Sequence, residues 1–368
     1  MKKVLFVASI TRHIIAFHIP YLKLFKENGY EVHVASKGEE KIEYCDKHFN
    51  IEFERSPLNK NNKKVYSELK KLINDNEYEV IHCHTPTASV LTRLAAKKAR
   101  KNGTKVIYTA HGFHFYKGAS IKNWILFYPI EWYLAKYVDT LVLINQEDYN
   151  LAKRHFSKRA INIEYIPGIG VDENKYCFNM SVEDKEKIRK SLNIENDKFV
   201  IIYPARLCKD KNQMLLLQLM KKINDSNVVL VLPGNDEYNG FYQKYVNENN
   251  ISNVLFIGDR YDIPQLLKAS DLLIASSIRE GFGINLVEAL ACGVPVIAVD
   301  NRGHREIVQD GINGFLIKND IDELVDKFDK LYNDKELYEK MKEKCYDTSK
   351  QFFLSHSIEI MKKIYELR

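Results

Sequence analysis

At 368 residues the chain exceeds the size at which a single hydrophobic core stops growing, so two domains are expected; an apolar fraction of 45% with 28% charged residues excludes a disordered or fibrous chain. Six cysteines without a CxxC pair exclude a readable disulfide framework or zinc finger and suit a reducing cytoplasm, and no apolar run approaches the ~18–20 residues that cross a bilayer. The net charge of +6 is uneven: residues 1–168 hold 27 Lys+Arg against 17 Asp+Glu and residues 169–368 hold 28 against 32, so the basic first half suits an anionic partner or, equally, a solvated lysine-rich surface.

The N-terminus begins like a signal peptide, but Thr11-Arg12-His13 interrupts its apolar run, so residues 4–8 read as a buried first strand and export by this route is not expected. Residues 14–25, with Lys23 and Lys26 nearby, form a helix that is either an acceptor or membrane contact or an ordinary amphipathic helix. Strands follow at 31–35, 80–83, 105–109, 140–144 and 162–166, most of them trailed by amphipathic segments, which predicts a parallel sheet covered on both faces. Residues 124–138 hold Trp124, Phe127, Tyr128, Trp132, Tyr133 and Tyr137; their spacing suits a buried helix, although so aromatic a stretch also suits a lipid surface. His82 and His84 share a strand face and His111 and His114 follow another strand, but no carboxylate completes a ligand spacing, so hydrogen-bonded structure is favoured over a metal.

Pro167-Gly168-Ile169-Gly170-Val171-Asp172 breaks the periodicity, and the pattern then restarts with a helix at 182–192 and strands at 199–203, 228–232, 254–257, 272–275, 294–299 and 315–317. This predicts a first domain over 1–168 and a second over 169–349. In open parallel sheets ligands bind beyond the carboxyl ends of the strands, where helix N-termini present unpaired N–H groups, so functional residues should sit just after strands.

Two such places stand out. After the strand at 272–275 comes Arg279-Glu280-Gly281-Phe282-Gly283-Ile284, then a short helix holding Glu288 and ending at Gly293. The glycines let backbone approach a ligand, the helix start suits a phosphate, and Glu288, a turn inside the helix, suits ribose hydroxyls; two unrelated surface acids are the plain alternative. After the strand at 199–203 comes Arg206 and then Lys211 at the start of the next helix, a guanidinium and an ammonium suited to clamp a diphosphate, or else surface pairs with Asp210. Asp320-Ile321-Asp322 spells a metal-binding DxD, but at a helix start the acids read as caps.

Glu280 with Glu288 forms an E-x7-E element and Arg206 with Lys211 an R-x4-K element that resemble those of the retaining glycosyltransferase family 4, which has the GT-B fold. Tyr108 to Phe115, Pro167 to Asp172, and Phe17 to Lys23 are similar to that family's central histidine strand, its interdomain link, and its members that build bacterial capsules and exopolysaccharides. The resemblance implies an α/β protein of two Rossmann-like doubly wound parallel-sheet domains facing a central cleft, acceptor in the first and nucleotide sugar in the second, with a C-terminal helix (350–368) returning to the first. It implies that Arg206 and Lys211 hold the donor diphosphate, Glu288 the ribose, Glu280 the donor sugar, and Phe282, Gly283 and Ile284 both sugar and phosphate. Gly258 and Arg260 would lie near the base, and His111 would approach the reacting sugar.

Where many members carry a glycine pair after the first strand, this chain has Ser9 to His13, so Arg12 or His13 is expected to replace backbone contacts; Asn212 likewise stands where many have glycine. The expected activity is transfer of a hexosyl or N-acetylhexosaminyl group, without metal or other cofactor, from a UDP-sugar to a lipid-linked or glycan acceptor such as a polyprenyl-diphosphate-linked sugar. The setting would be cytoplasmic, with peripheral contact to an anionic inner membrane face and no nucleic acid as partner. A sugar-nucleotide epimerase of the same architecture and a nucleotide-sugar binding protein are the alternatives.

Overall fold

The computed structural model describes residues 1–54 and 59–367. The chain forms two compact units, Met1–Ile169 with His356–Arg368, and Gly170–Ser355.

The first unit is built on seven parallel strands: β1 (Lys3–Ile10), β2 (Glu31–Lys37), β3 (Lys47–Asn50), β4 (Val80–His84), β5 (Lys105–Ala110), β6 (Thr140–Leu143) and β7 (Asn162–Tyr165), in the order β3-β2-β1-β4-β5-β6-β7. Val4 to Ala8 and the whole of β4 are buried, which explains why these strands read as continuous apolar runs: both faces of a parallel sheet are covered. Strand β3 escaped the sequence reading because it is a short, partly exposed edge strand, Lys47-His48-Phe49-Asn50, without an apolar run. The strand order reverses between β1 and β4, which places the topological switch point at their carboxyl ends. From His356 on, the helix Leu354–Tyr365 belongs to this unit; the Tyr365 ring lies edge-on to Phe25 at 4.7 Å and its hydroxyl meets His82 Nδ1 at 2.7 Å.

Two expectations for this unit need correction. The helix expected at 14–25 is two helices, Thr11–Phe17 and Ile19–Glu27, broken at His18. Pro20 has no N–H to offer the carbonyl four residues back and its ring would press against it, so the turn opens and a new helix starts with the proline in its first turn. The aromatic stretch is a helix, Ile121–Leu134, but one side of it is not core: Ile121, Ile125, Leu126, Trp132 and Tyr133 are exposed. Its other side packs Trp124 and Tyr128 against Phe115, with centroids 5.5 Å apart in each pair. Because the helix is apolar all round, periodicity could not say which face would be covered. Buried Arg93 fixes its orientation, donating to Glu131 at 2.8 and 3.2 Å while lying 4.3 Å from the Tyr108 ring centre.

The second unit has six parallel strands: β8 (Phe199–Ile202), β9 (Val228–Pro233), β10 (Val254–Gly258), β11 (Leu272–Ala275), β12 (Val296–Val299) and β13 (Gly314–Ile317), ordered β10-β9-β8-β11-β12-β13. Here the order reverses between β8 and β11, so the segments holding Arg206 and Glu280 leave adjacent strands at the switch point. Asp320 caps the helix Ile321–Asn333, accepting from the N–H groups of Asp322 and Glu323 at 3.0 and 2.9 Å, and Asp322 pairs with Lys222. The Asp-Ile-Asp sequence thus serves the helix end, as capping requires.

Candidate nucleotide-sugar site

In the second unit the loops after β8 and β11 are tied to one another. Ser276 Oγ donates to the Lys211 carbonyl at 2.8 Å, the Ile278 N–H to the Asp210 carbonyl at 3.1 Å, and Asn285 Nδ2 to the Pro204 carbonyl at 3.4 Å. Tyr203, just past β8, shares a 2.5 Å hydroxyl contact with Ser277. These bonds bring Arg206, Lys211, Glu280 and the start of the helix Ile284–Ala291 to one end of the sheet. Lys211 does not start the next helix as expected: it closes a 3-10 turn, Lys209–Lys211, and the helix begins at Gln213. Between them Asn212 has φ +53°, a left-handed conformation that asparagine tolerates better than most residues, which is how it fills a position where glycine is common.

Each cation is held by a carboxylate, and neither by Asp210. Lys211 donates to Glu280, and Arg206 to Glu237 at 2.6 Å. Burial alone would raise the Glu280 carboxyl, but the Lys211 ammonium beside it holds it below the usual carboxylate range, so Glu280 is a fixed negative charge. The Arg206–Glu237 pair is more than half exposed at the arginine, and such pairs exchange partners at little cost.

The loop Asn301 to His304 closes over this site and was not singled out from sequence. Asn301 Oδ1 accepts from the Gly303 and His304 N–H groups at 3.0 and 3.1 Å, and Arg302 Nε donates to the Glu280 carbonyl at 3.4 Å. A Cβ at Gly303 would stand 2.7 Å from the Phe282 backbone and 2.9 Å from Glu280 Cβ, so only glycine lets the two loops approach. Gly283, at φ +96°, turns the chain into the helix without a side-chain cap bond. The N–H groups of Ile284 and Asn285 precede the first bond within the helix, the ordinary arrangement of an anion site. Phe282 is buried, edge-on to Phe352 at 5.6 Å.

Glu288 lies a turn inside the helix, as expected, and accepts from the Tyr176 hydroxyl at 2.5 Å. Burial pushes its carboxyl up to about 7, while Tyr176 and Lys175 pull the other way. Tyr176 was invisible to the sequence reading because it stands 112 positions away on a one-turn helix, Glu173–Tyr176. Of the two residues expected near the base, Gly258 ends β10, where its carbonyl accepts from the Gly234 N–H at 2.8 Å, and Arg260 is engaged by Asp262 at 2.8 and 2.5 Å.

In the first unit β1 passes directly into a helix at Thr11, and Arg12 points to solvent, donating to Glu40 at 3.2 Å. His13 instead joins His18, His84 and His111. Burial pushes His13 down to about 4 and holds His111 well below the ordinary imidazole range, so these rings are neutral at pH 7. Thr85, just past His84, has φ +62°, an unusual conformation for a β-branched residue; it is fixed by Ser9, whose N–H and hydroxyl reach Thr85 Oγ1 at 3.0 and 2.7 Å. His82 is structural, with one ring nitrogen at Tyr365 and the other 2.8 Å from Thr109 Oγ1, and His114 stacks on Phe127 at 4.4 Å.

A switch-point sheet that gathers a helix start, two cations and two unlike carboxylates at its carboxyl end is the arrangement of a nucleotide-binding α/β enzyme. The family described as Glycosyl transferases group 1 matches residues 184–348, and that described as Glycosyl transferase 4-like matches residues 3–145. EpsD of Bacillus subtilis (strain 168), named as a candidate glycosyltransferase, is 42% identical over 99% of this chain and 96% of its own. The UDP-Gal:alpha-D-GlcNAc-diphosphoundecaprenol alpha-1,3-galactosyltransferase of Escherichia coli is 31% identical over 73% of this chain and 70% of its own. The crystal structure of Anabaena Alr3699/HepE in complex with UDP-glucose has the same fold, with a TM-score of 0.81 over 100% of both chains at 21% identity. The chain belongs to the glycosyltransferases, and its fold is GT-B.

Proposed function

We propose that this glycosyltransferase is metal-independent and retaining, and moves a hexosyl or N-acetylhexosaminyl group from a UDP-sugar to a polyprenyl-diphosphate-linked sugar during assembly of a cell-surface polysaccharide. The observation that carries the reading is the arrangement of Arg206, Lys211 and the helix start at Ile284 beside Glu280, which places hydrogen-bond donors of two cations and a helix N-terminus at one end of the sheet. On binding, the diphosphate takes the place of Glu237 at Arg206 and shares the three donors of Lys211 with Glu280. Glu288 accepts from the ribose hydroxyls. Glu280 and His111 are assigned to the sugar whose C1 gains positive character as the nucleoside diphosphate leaves, and the acceptor attacks from the face the phosphate vacates while a phosphate oxygen takes its proton.

The E. coli relative's name supplies the precedent for a UDP-sugar donor, a diphosphoundecaprenol-linked acceptor and an alpha linkage, and EpsD and a capsular polysaccharide glycosyltransferase of Staphylococcus aureus, CapM, are further relatives. Cations at the leaving group do the work otherwise given to a divalent metal. Transfer of label from a radiolabelled UDP-sugar should therefore persist in excess EDTA. Turnover that EDTA abolishes and Mg²⁺ or Mn²⁺ restores overturns the clamp assignment, and a changed sugar nucleotide without acceptor signals epimerisation instead.

No helix among the described residues is long and apolar enough to cross a membrane. The exposed Ile121, Ile125 and Leu126, together with the basic first half, support docking of the first unit on an anionic lipid surface that carries the acceptor. The protein should float with anionic vesicles at low salt, and Ile125→Asp with Leu126→Asp should leave most of it at the bottom of the gradient. Indifference to lipid charge and salt contradicts peripheral docking.

A further inference from the structure

Four imidazoles of the first unit converge on one point. His13 follows β1, His84 ends β4, His111 follows β5, and His18 occupies the break between the two N-terminal helices. His18 stacks on His84 with centroids 3.7 Å apart, and His13 stands edge-on to His111 at 4.7 Å. Each ring offers a nitrogen such that all four lie within 4.8 Å of one another. Two of the separations, His18 Nε2 to His13 Nε2 and His111 Nε2 to His84 Nδ1, are 3.3 Å. That is the edge of a tetrahedron whose centre lies about 2.0–2.1 Å from each nitrogen, the zinc–imidazole distance.

The converging nitrogens pair with one another, His18 Nε2 with His13 Nε2 and His84 Nδ1 with His111 Nε2. His18 Nδ1 and His84 Nε2 are buried and have no hydrogen-bond partner among the described residues, whereas both nitrogens of neighbouring His82 are used. These two unused nitrogens are the ring atoms opposite the converging ones, so each ring is free to turn its other nitrogen toward the common point. An all-imidazole set with no carboxylate favours Zn²⁺ and similar borderline cations over Mg²⁺ or Ca²⁺. We infer that His13, His18, His84 and His111 form a binding site for a zinc-class divalent cation, and that an ion held there takes His111 out of sugar transfer and so inhibits it.

The inhibitory half rests on the assignment of His111 to the donor sugar; the site itself does not. It also turns the usual role of a metal around, since transfer proceeds without the ion and is suppressed by it. Titration of Co²⁺ into the metal-free full chain should give the intense visible absorption of tetrahedral Co²⁺, saturating at one equivalent. One equivalent of Zn²⁺ should bleach it, and excess Mg²⁺ should leave it unchanged. His13→Ala and His111→Ala should each abolish it; both side chains are only partly buried, and circular dichroism checks that the variants fold. Only weak, octahedral-type absorption, or full absorption in His13→Ala, overturns the site. Zn²⁺ should inhibit transfer with the midpoint at which it displaces Co²⁺, and EDTA should restore the rate. One bound equivalent with undiminished transfer overturns the inhibitory role.

Discussion

Replacing Glu280 by glutamine should lower kcat by ~10²–10³ with a much smaller change in the KM for donor, the loss typical of a preorganised electrostatic contact. Glu280 keeps its charge in a buried place because Lys211 is beside it, and the Arg302 and Ser276–Ser277 contacts hold its loop on the end of the sheet. A charge so fixed needs no reorganisation as C1 becomes positive, so its effect falls on the transition state more than on the bound ground state. The glutamine keeps the shape but not the charge, and it frees Lys211 to bind the diphosphate more tightly. His111→Ala should likewise lower kcat. A Glu280→Gln enzyme with nearly wild-type kcat would remove Glu280 from any essential charge role.

The KM for donor should rise ~20-fold between pH 7.5 and 5.5 while kcat changes less, because the protonated form of Glu288 loses acceptor capacity toward the ribose hydroxyls. The sign follows from burial: with its carboxyl raised to about 7, Glu288 is a carboxylate only above that pH, whereas an ordinary glutamate would remain charged through the whole range. The same shift means that the ligand-free unit is most stable with Glu288 protonated and loses that stability as the pH rises through 7; Glu288→Gln should raise the Tm of the ligand-free protein at pH 8. Glu288→Gln should also flatten the pH dependence of KM, and Glu288→Ala should raise KM throughout. Tyr176→Phe removes a hydrogen bond that favours the carboxylate, so its KM curve should shift to higher pH. A donor KM that stays flat from pH 7.5 to 5.5 in the wild type would contradict a buried, ribose-binding Glu288.

What the sequence disclosed and what it hid divide along physical lines. The strands were legible because burial on both faces writes them as unbroken apolar runs, and the places after β8 and β11 because glycines and a helix stop punctuate them. The one-turn helix carrying Tyr176 and the edge strand β3 carry no such mark. The partners of the site residues were hidden for another reason: Glu237, Tyr176 and the Asn301–His304 loop reach Arg206, Glu288 and Glu280 through the fold, across many positions that no local pattern spans. The Asn301-Arg302-Gly303-His304 segment did offer a signal, a glycine just past a strand end, that went unused. The four-histidine cluster is half visible in the sequence, since His84 and His111 stand at strand ends, whereas His13 falls in the loop after the first strand and His18 inside the helix expected at 14–25, which the structure breaks at His18.

The central claim, retaining transfer from a UDP-sugar bound at Arg206, Lys211, Glu280 and Glu288, is tested most directly by following the reaction by proton NMR in EDTA, with a UDP-α-sugar and a diphosphate-linked GlcNAc acceptor. UDP should be released in step with a new disaccharide whose anomeric proton shows the small coupling of an α-linkage for a gluco- or galacto-configured sugar. A large coupling, diagnostic of a β-linkage, would contradict it.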